Sequence, residues 1–138
     1  MKSRMEQSRR VRAFTLIEMM VVVLIIGALA ALVAPRIMHQ FEKSKVHTTQ
    51  AQISLLGNAV KDYYMDLSEY PKSLDDLLKN PGASSKWDGP YLEKDKLPED
   101  AWGEPYDYQL DKGGKSFKIF SKGPDKTAGS ADDIKSWE

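Results

Sequence analysis

Apolar residues are arranged in two ways along this chain. From Phe14 to Ala34 they form an almost unbroken run, interrupted by Thr15 and Glu18. As a helix, these 21 residues span about 31 Å, close to the hydrocarbon thickness of a bilayer. From Ile37 onward they thin to steps of mostly three, four or seven: Ile37, Met38, Phe41, Val46, Ile53, Leu56, Val60, Tyr63, Tyr64 and Leu67. Charged and amide side chains fill the other positions, which is the helical period. The pattern predicts one helix from about Phe14 to about Leu67, apolar all round at first and amphipathic afterwards. It would be about 80 Å long. Gly27 and Pro35 weaken it locally, and Pro35 fits a kink or a helix end at the membrane edge.

Tyr70-Pro71 stops the periodic stretch. Ser73 and Asp76 have the spacing of a capping box for a short helix, Leu74 to Lys79, which Asn80-Pro81-Gly82 breaks. Residues 83–103 read as loop. Tyr106, Tyr108 and Leu110 alternate with polar residues, as do Phe117, Ile119 and Ser121 beyond Gly113-Gly114, which predicts a β-hairpin. The tail from Gly123 is turn-rich and acidic.

Charge sharpens this picture. The 138 residues carry 20 basic and 20 acidic groups. Lys2, Arg4, Arg9, Arg10 and Arg12 against Glu6 give the first 13 residues a net +4, leaving −4 for the rest. A basic flank before an apolar helix keeps the N-terminus cytoplasmic and exports the C-terminal remainder of the chain. No basic face with interleaved aromatics appears later, so no nucleic acid partner is expected. The chain has no cysteine, which excludes disulfides, thiolate zinc sites and cysteine nucleophiles. A small exported domain without disulfides needs another staple, from a metal ion or neighbouring subunits.

Two places carry candidate chemistry. Glu18 puts a carboxylate in an apolar helix, at a cost of about 2.5 kcal/mol or more near the bilayer centre, so it calls for a neutralising partner. Asp125, Asp132 and Asp133 place three carboxylates in a glycine-containing loop. Hard cations such as Ca²⁺ take six to eight oxygens, carbonyls included. The spacing is not that of an EF-hand, and on composition alone a solvated turn is the better account. His39 and His47 read as surface residues of the long helix, and Trp102 and Tyr91 as packing residues. No phosphate loop or Ser/His/Asp arrangement is evident, so no enzymatic activity is expected.

The junction Arg12-Ala13-Phe14-Thr15-Leu16-Ile17-Glu18 resembles the processing signal of type IV pilins and pseudopilins. The resemblance implies cleavage between Ala13 and Phe14 by a prepilin peptidase, and an N-methylphenylalanine at Phe14. The family usually has Gly where this chain has Ala13. It also implies that Glu18 pairs with the new α-amino group of Phe14 in a neighbouring subunit, and that the helix melts between Gly27 and Pro35 in a filament. Further motifs occur in order along the chain: Gly89-Pro90-Tyr91-Leu92, Leu97-Pro98, Asp100-Ala101-Trp102-Gly103 with Pro105-Tyr106, and Phe120-Ser121-Lys122-Gly123-Pro124-Asp125. With these the chain resembles the major pseudopilins of type II secretion, the protein G family, from Phe14 to Trp137.

That resemblance implies an α+β, type IV pilin-like fold: a long N-terminal helix, half of it transmembrane, packed on a small antiparallel sheet with a C-terminal calcium loop. It divides the chain into a leader (1–13), a transmembrane assembly helix (14–35) and a periplasmic domain (36–138). It implies a structural Ca²⁺ held by side chains of Asp125, Asp132 and Asp133 and carbonyls of Lys122 and Lys126. Here Pro124 and Lys126-Thr127-Ala128 stand where the family tends to small residues and glycine. The implied role is a structural subunit of a helical homo-oligomer, anchored in the inner membrane. Its implied partners are minor pseudopilins and the inner-membrane assembly platform. A surface type IV pilin and a single-pass anchored binding module that never assembles are the alternatives.

Overall fold

The structure, a computed structural model, describes residues 13–137. The chain separates into two compact units, divided between Gln40 and Phe41. One element, helix α1 (Leu16–Leu67, 52 residues), contributes to both.

In the first unit α1 is exposed on every face. Leu16, Leu24 and Leu32 are each more than 70% accessible. The stretch is long and apolar enough to cross a membrane, and a helix apolar all round needs lipid or other helices around it. Pro35 lies inside α1 and does not end it, although proline has no N–H for the carbonyl one turn back.

The second unit is an α+β domain built on the other part of α1. Thr49, Ile53, Leu56, Ala59, Val60 and Tyr63 form its buried stripe. Leu74, Leu77, Tyr106, Ile119 and Ile134 close over them. Fully burying a side chain such as Leu77 contributes about 2 kcal/mol. Val46 and Tyr64 remain exposed, because their helical phase carries them to the flank of the stripe. Beyond Leu67 the chain reverses at Ser68, whose φ of 61° is left-handed and whose N–H donates to the Tyr64 carbonyl at 2.8 Å. The short helix is tighter and shorter than expected, a 3₁₀ turn at Leu74–Leu77. The Asp76 carboxylate accepts the N–H groups of Lys72 at 2.8 Å and Ser73 at 3.2 Å.

The hairpin is present: β1 (Asp107–Leu110) pairs antiparallel with β2 (Phe117–Ser121), Tyr108 opposite Ile119. A third strand, β3 (Ile134–Lys135), pairs antiparallel with β2 and completes the order β1-β2-β3. Its two residues are too few for an alternating pattern, so the tail reads as turn in the sequence while its Ile134 enters the core.

Candidate functional site

At the N-terminal end, Ala13, Phe14 and Thr15 precede α1 and are exposed. Residues 1–12 of the expected leader lie outside the described residues. Thr15 occupies the cap position: its Oγ1 accepts the Glu18 N–H at 3.2 Å, satisfying one of the free donors of the first turn. Glu18 is the acidic residue of that turn, where the helix dipole favours a negative charge. It is exposed, and the carboxylate makes no hydrogen bond or ion pair among the described residues.

The acidic loop is built differently. Gly123 is buried in a left-handed conformation, φ +66°. A Cβ there would lie 2.2 Å from the Asp132 carbonyl oxygen. The two ends of the loop therefore touch backbone to backbone. Asp133 is buried and accepts the Gly129 N–H at 2.8 Å and the Ser130 hydroxyl at 3.4 Å. Asp125 accepts the Thr127 N–H at 3.0 Å, and Asp132 is exposed. Both lysines send their amines elsewhere, Lys122 to Asp107 at 3.5 Å and Lys126 to Glu104 at 2.8 Å. Lys126 has a left-handed φ of 56°, and its bond to Glu104 raises its pKa above the ordinary lysine value.

For a hard cation the residues fit in donor type and in loop closure, since Asp125 and the Asp132-Asp133 pair sit on chain ends held together at Gly123. They do not form a ready-made cage. Among the described residues no three His, Asp or Glu side chains gather as a metal cluster. Carbonyls and water would have to complete the six to eight oxygens.

A third group joins the two later sequence motifs. Asp100 is buried. Its Oδ1 accepts the N–H groups of Trp102 at 3.0 Å and Glu104 at 2.8 Å, and its Oδ2 accepts the Ser121 hydroxyl. Ser121 Oγ accepts the Gly123 N–H at 3.1 Å. The turn is tied to α1 by the Ala101 N–H donating to Thr49 Oγ1 at 3.3 Å and by Trp102 Nε1 donating to Glu42 at 3.3 Å. Lys45 lies 5.9 Å from the Trp102 ring centroid. Sequence reasoning did not find this network. Its visible signal is Asp100 followed by Gly103, the composition of an aspartate-closed turn.

The aromatic residues read as packing residues do pack. Tyr91 meets Tyr63 and Trp87 edge-on, centroids 5.6 and 5.7 Å apart, and its hydroxyl donates to Asp66 at 2.6 Å. Burial and then that bond push the Tyr91 pKa up to about 12. Burial does the same for Tyr106, next to Asp100, and for Tyr108. His39 and His47 are exposed.

Residues 36–137 match the family model described as type II secretion system protein G, and residues 8–34 match the prokaryotic N-terminal methylation motif. The type II secretion system core protein G of Aeromonas hydrophila is 40% identical, the match covering 95% of each chain. That of Pseudomonas aeruginosa is 38% identical over 96% of this chain and 99% of its own. The crystal structure of the major pseudopilin from the type 2 secretion system of enterohaemorrhagic Escherichia coli superposes with a TM-score of 0.59 at 29% identity, over 72% of this chain and 88% of that one. On fold, N-terminal motif and full-length similarity together, the chain belongs to the type II secretion system protein G family, the major pseudopilins.

Proposed function

We propose that this chain is the major structural subunit of a type II secretion pseudopilus. A prepilin peptidase cuts between Ala13 and Phe14, and Phe14 becomes N-methylated. Residues 14–35 hold the subunit in the inner membrane, N-terminus cytoplasmic and domain 36–138 periplasmic. Subunits assemble through α1 into a helical homo-oligomer that drives folded proteins across the outer membrane, working with minor pseudopilins and the inner-membrane assembly platform. The role is mechanical and not enzymatic.

The observation that carries this reading is Glu18, a carboxylate with no partner among the described residues in the first turn of α1, where the helix up to Pro35 is otherwise uncharged and exposed on every face. Pairing with an ammonium offsets the cost of desolvation, and cleavage before Phe14 creates that ammonium four residues upstream. Mass spectrometry of the mature N-terminus tests it: a methylated Phe14 is expected, and a chain still starting at Met1 sinks the processing step and the assembly that depends on it.

We further propose that the C-terminal loop takes Ca²⁺ through the side chains of Asp125, Asp132 and Asp133 and the carbonyls of Lys122 and Lys126. The ion would supply a charge-neutralising cross-link between the loop's two ends. Closure of the loop at Gly123 and the outward course of both lysine amines support this assignment.

A further inference from the structure

We propose that the buried carboxylate of Asp100 is the positioning residue of the acidic loop, fixing its backbone through the Ser121 hydroxyl and the Gly123 amide. Asp100 divides its oxygens between two tasks. Oδ1 closes its own turn on Trp102 and Glu104, and Oδ2 reaches out to Ser121 on β2. Ser121 is fully buried and passes the connection on by accepting the Gly123 N–H. Gly123 in turn lies against the Asp132 carbonyl. The relay thus runs from a buried charge to the backbone beside two expected ligands.

A second tie starts from the same turn, where Glu104 holds Lys126. The two ties land on Gly123 and Lys126 and so bracket Asp125 from both sides. Bonds to a buried carboxylate are the strong ones, because charge and low local polarity both favour them. The exposed Lys126 pair contributes less. Since Thr49 and Glu42 hold the 100–104 turn against α1, the two ties connect the loop to the helix in addition to the bonds within the loop itself. The ligand half of this inference rests on the calcium reading; the positioning half does not.

The test uses the full chain in detergent. Ser121→Ala cuts the relay while leaving the Asp100 bonds to Trp102 and Glu104 intact. In chelator, amide hydrogen exchange over 123–133 should become about tenfold faster, while amides of Ile53 to Tyr63 stay unchanged. Loop exchange equal to that of the parent chain overturns the proposal, and so does equal acceleration in the helix, which would mean general destabilisation. Lys126→Met should accelerate loop exchange less than Ser121→Ala does, and the reverse order overturns the ranking of the two ties. A calcium titration then reads the ligand half: Ser121→Ala should weaken binding about tenfold. Unchanged affinity overturns that half. A parent chain that binds no calcium removes the calcium reading, and the exchange result still decides the role of Asp100.

Discussion

Gly123 and Asp132 touch so closely that the smallest side chain cannot pass between them: a methyl at residue 123 would sit 2.2 Å from the Asp132 carbonyl oxygen. The φ of +66° adds to the penalty, since a left-handed L-residue costs about 1–2 kcal/mol. Gly123→Ala should therefore destabilise the domain by more than about 2 kcal/mol, the Cα strain plus the displaced contact. Thermal unfolding of the two chains measures it. A Gly123→Ala midpoint within a degree or two of the parent's contradicts the close approach.

Glu18 should matter to assembly and not to insertion. Glu18→Ala lightens the polar load of the helix, and Glu18→Lys repels the ammonium it would otherwise attract. Both are expected in the membrane fraction at parental levels. Both should lose filaments and subunit cross-linking. Normal filaments from both variants would remove the pairing role.

Calcium removal should loosen the second unit. Chelator added to domain 36–138 is expected to lower its midpoint by several degrees, on the order of 1–3 kcal/mol for a ligand in large excess over its Kd. Asp125→Ala should abolish the difference between chelated and calcium-loaded samples. If the parent domain melts identically with and without calcium, the loop is a solvated turn.

Alkaline pH should also unfold this unit. Tyr91, Tyr106 and Tyr108 have pKa values raised to about 12 in the fold, against about 10 in an unfolded chain. Their neutral forms are favoured by folding, so this stabilisation is complete below about pH 10 and is lost as pH rises through about 12. Unfolding followed by circular dichroism should coincide with a rise in tyrosinate absorbance across that window. Tyrosinate signal for all three appearing near pH 10 with the fold intact would contradict the burial argument.

How much of this was legible in advance depended on whether the signal was periodic. The long helix was, because Ile53, Leu56, Val60 and Tyr63 repeat at helical spacing, and α1 ends at Leu67 as that pattern does. The hairpin was too, through the alternation around Tyr108 and Ile119. Residues of the N-terminal methylation motif stand together in sequence, so Phe14 and Glu18 needed no folding to be recognised. What escaped was tertiary. Strand β3 exists because β2 offers Phe120 and Ser121 an open edge, which two residues cannot announce. Thr49 looked polar and proved fully buried, because Ala101 supplies the donor that its hydroxyl needs. The Asp100–Ser121 contact joins positions 21 apart in sequence, and neither residue type is unusual in a turn or strand. The three loop carboxylates showed the opposite limit: they lie close along the chain, while in the fold Asp125 and Asp133 each accept bonds from their own turn and Asp132 is exposed.

Strand β3 also sets an order of events. Ile134 is the last of the core residues along the chain, and it closes a surface begun more than one helix turn inside the second unit at Thr49. During synthesis, residues of α1 emerge long before the last of their cover does. Leu74, Leu77, Tyr106 and Ile119 cover Ile53, Leu56 and Val60 in turn, and Ile134 completes the cover. A chain interrupted between Lys122 and Ile134 would lack β3 and leave that core incompletely covered, the kind of exposed apolar surface that invites aggregation.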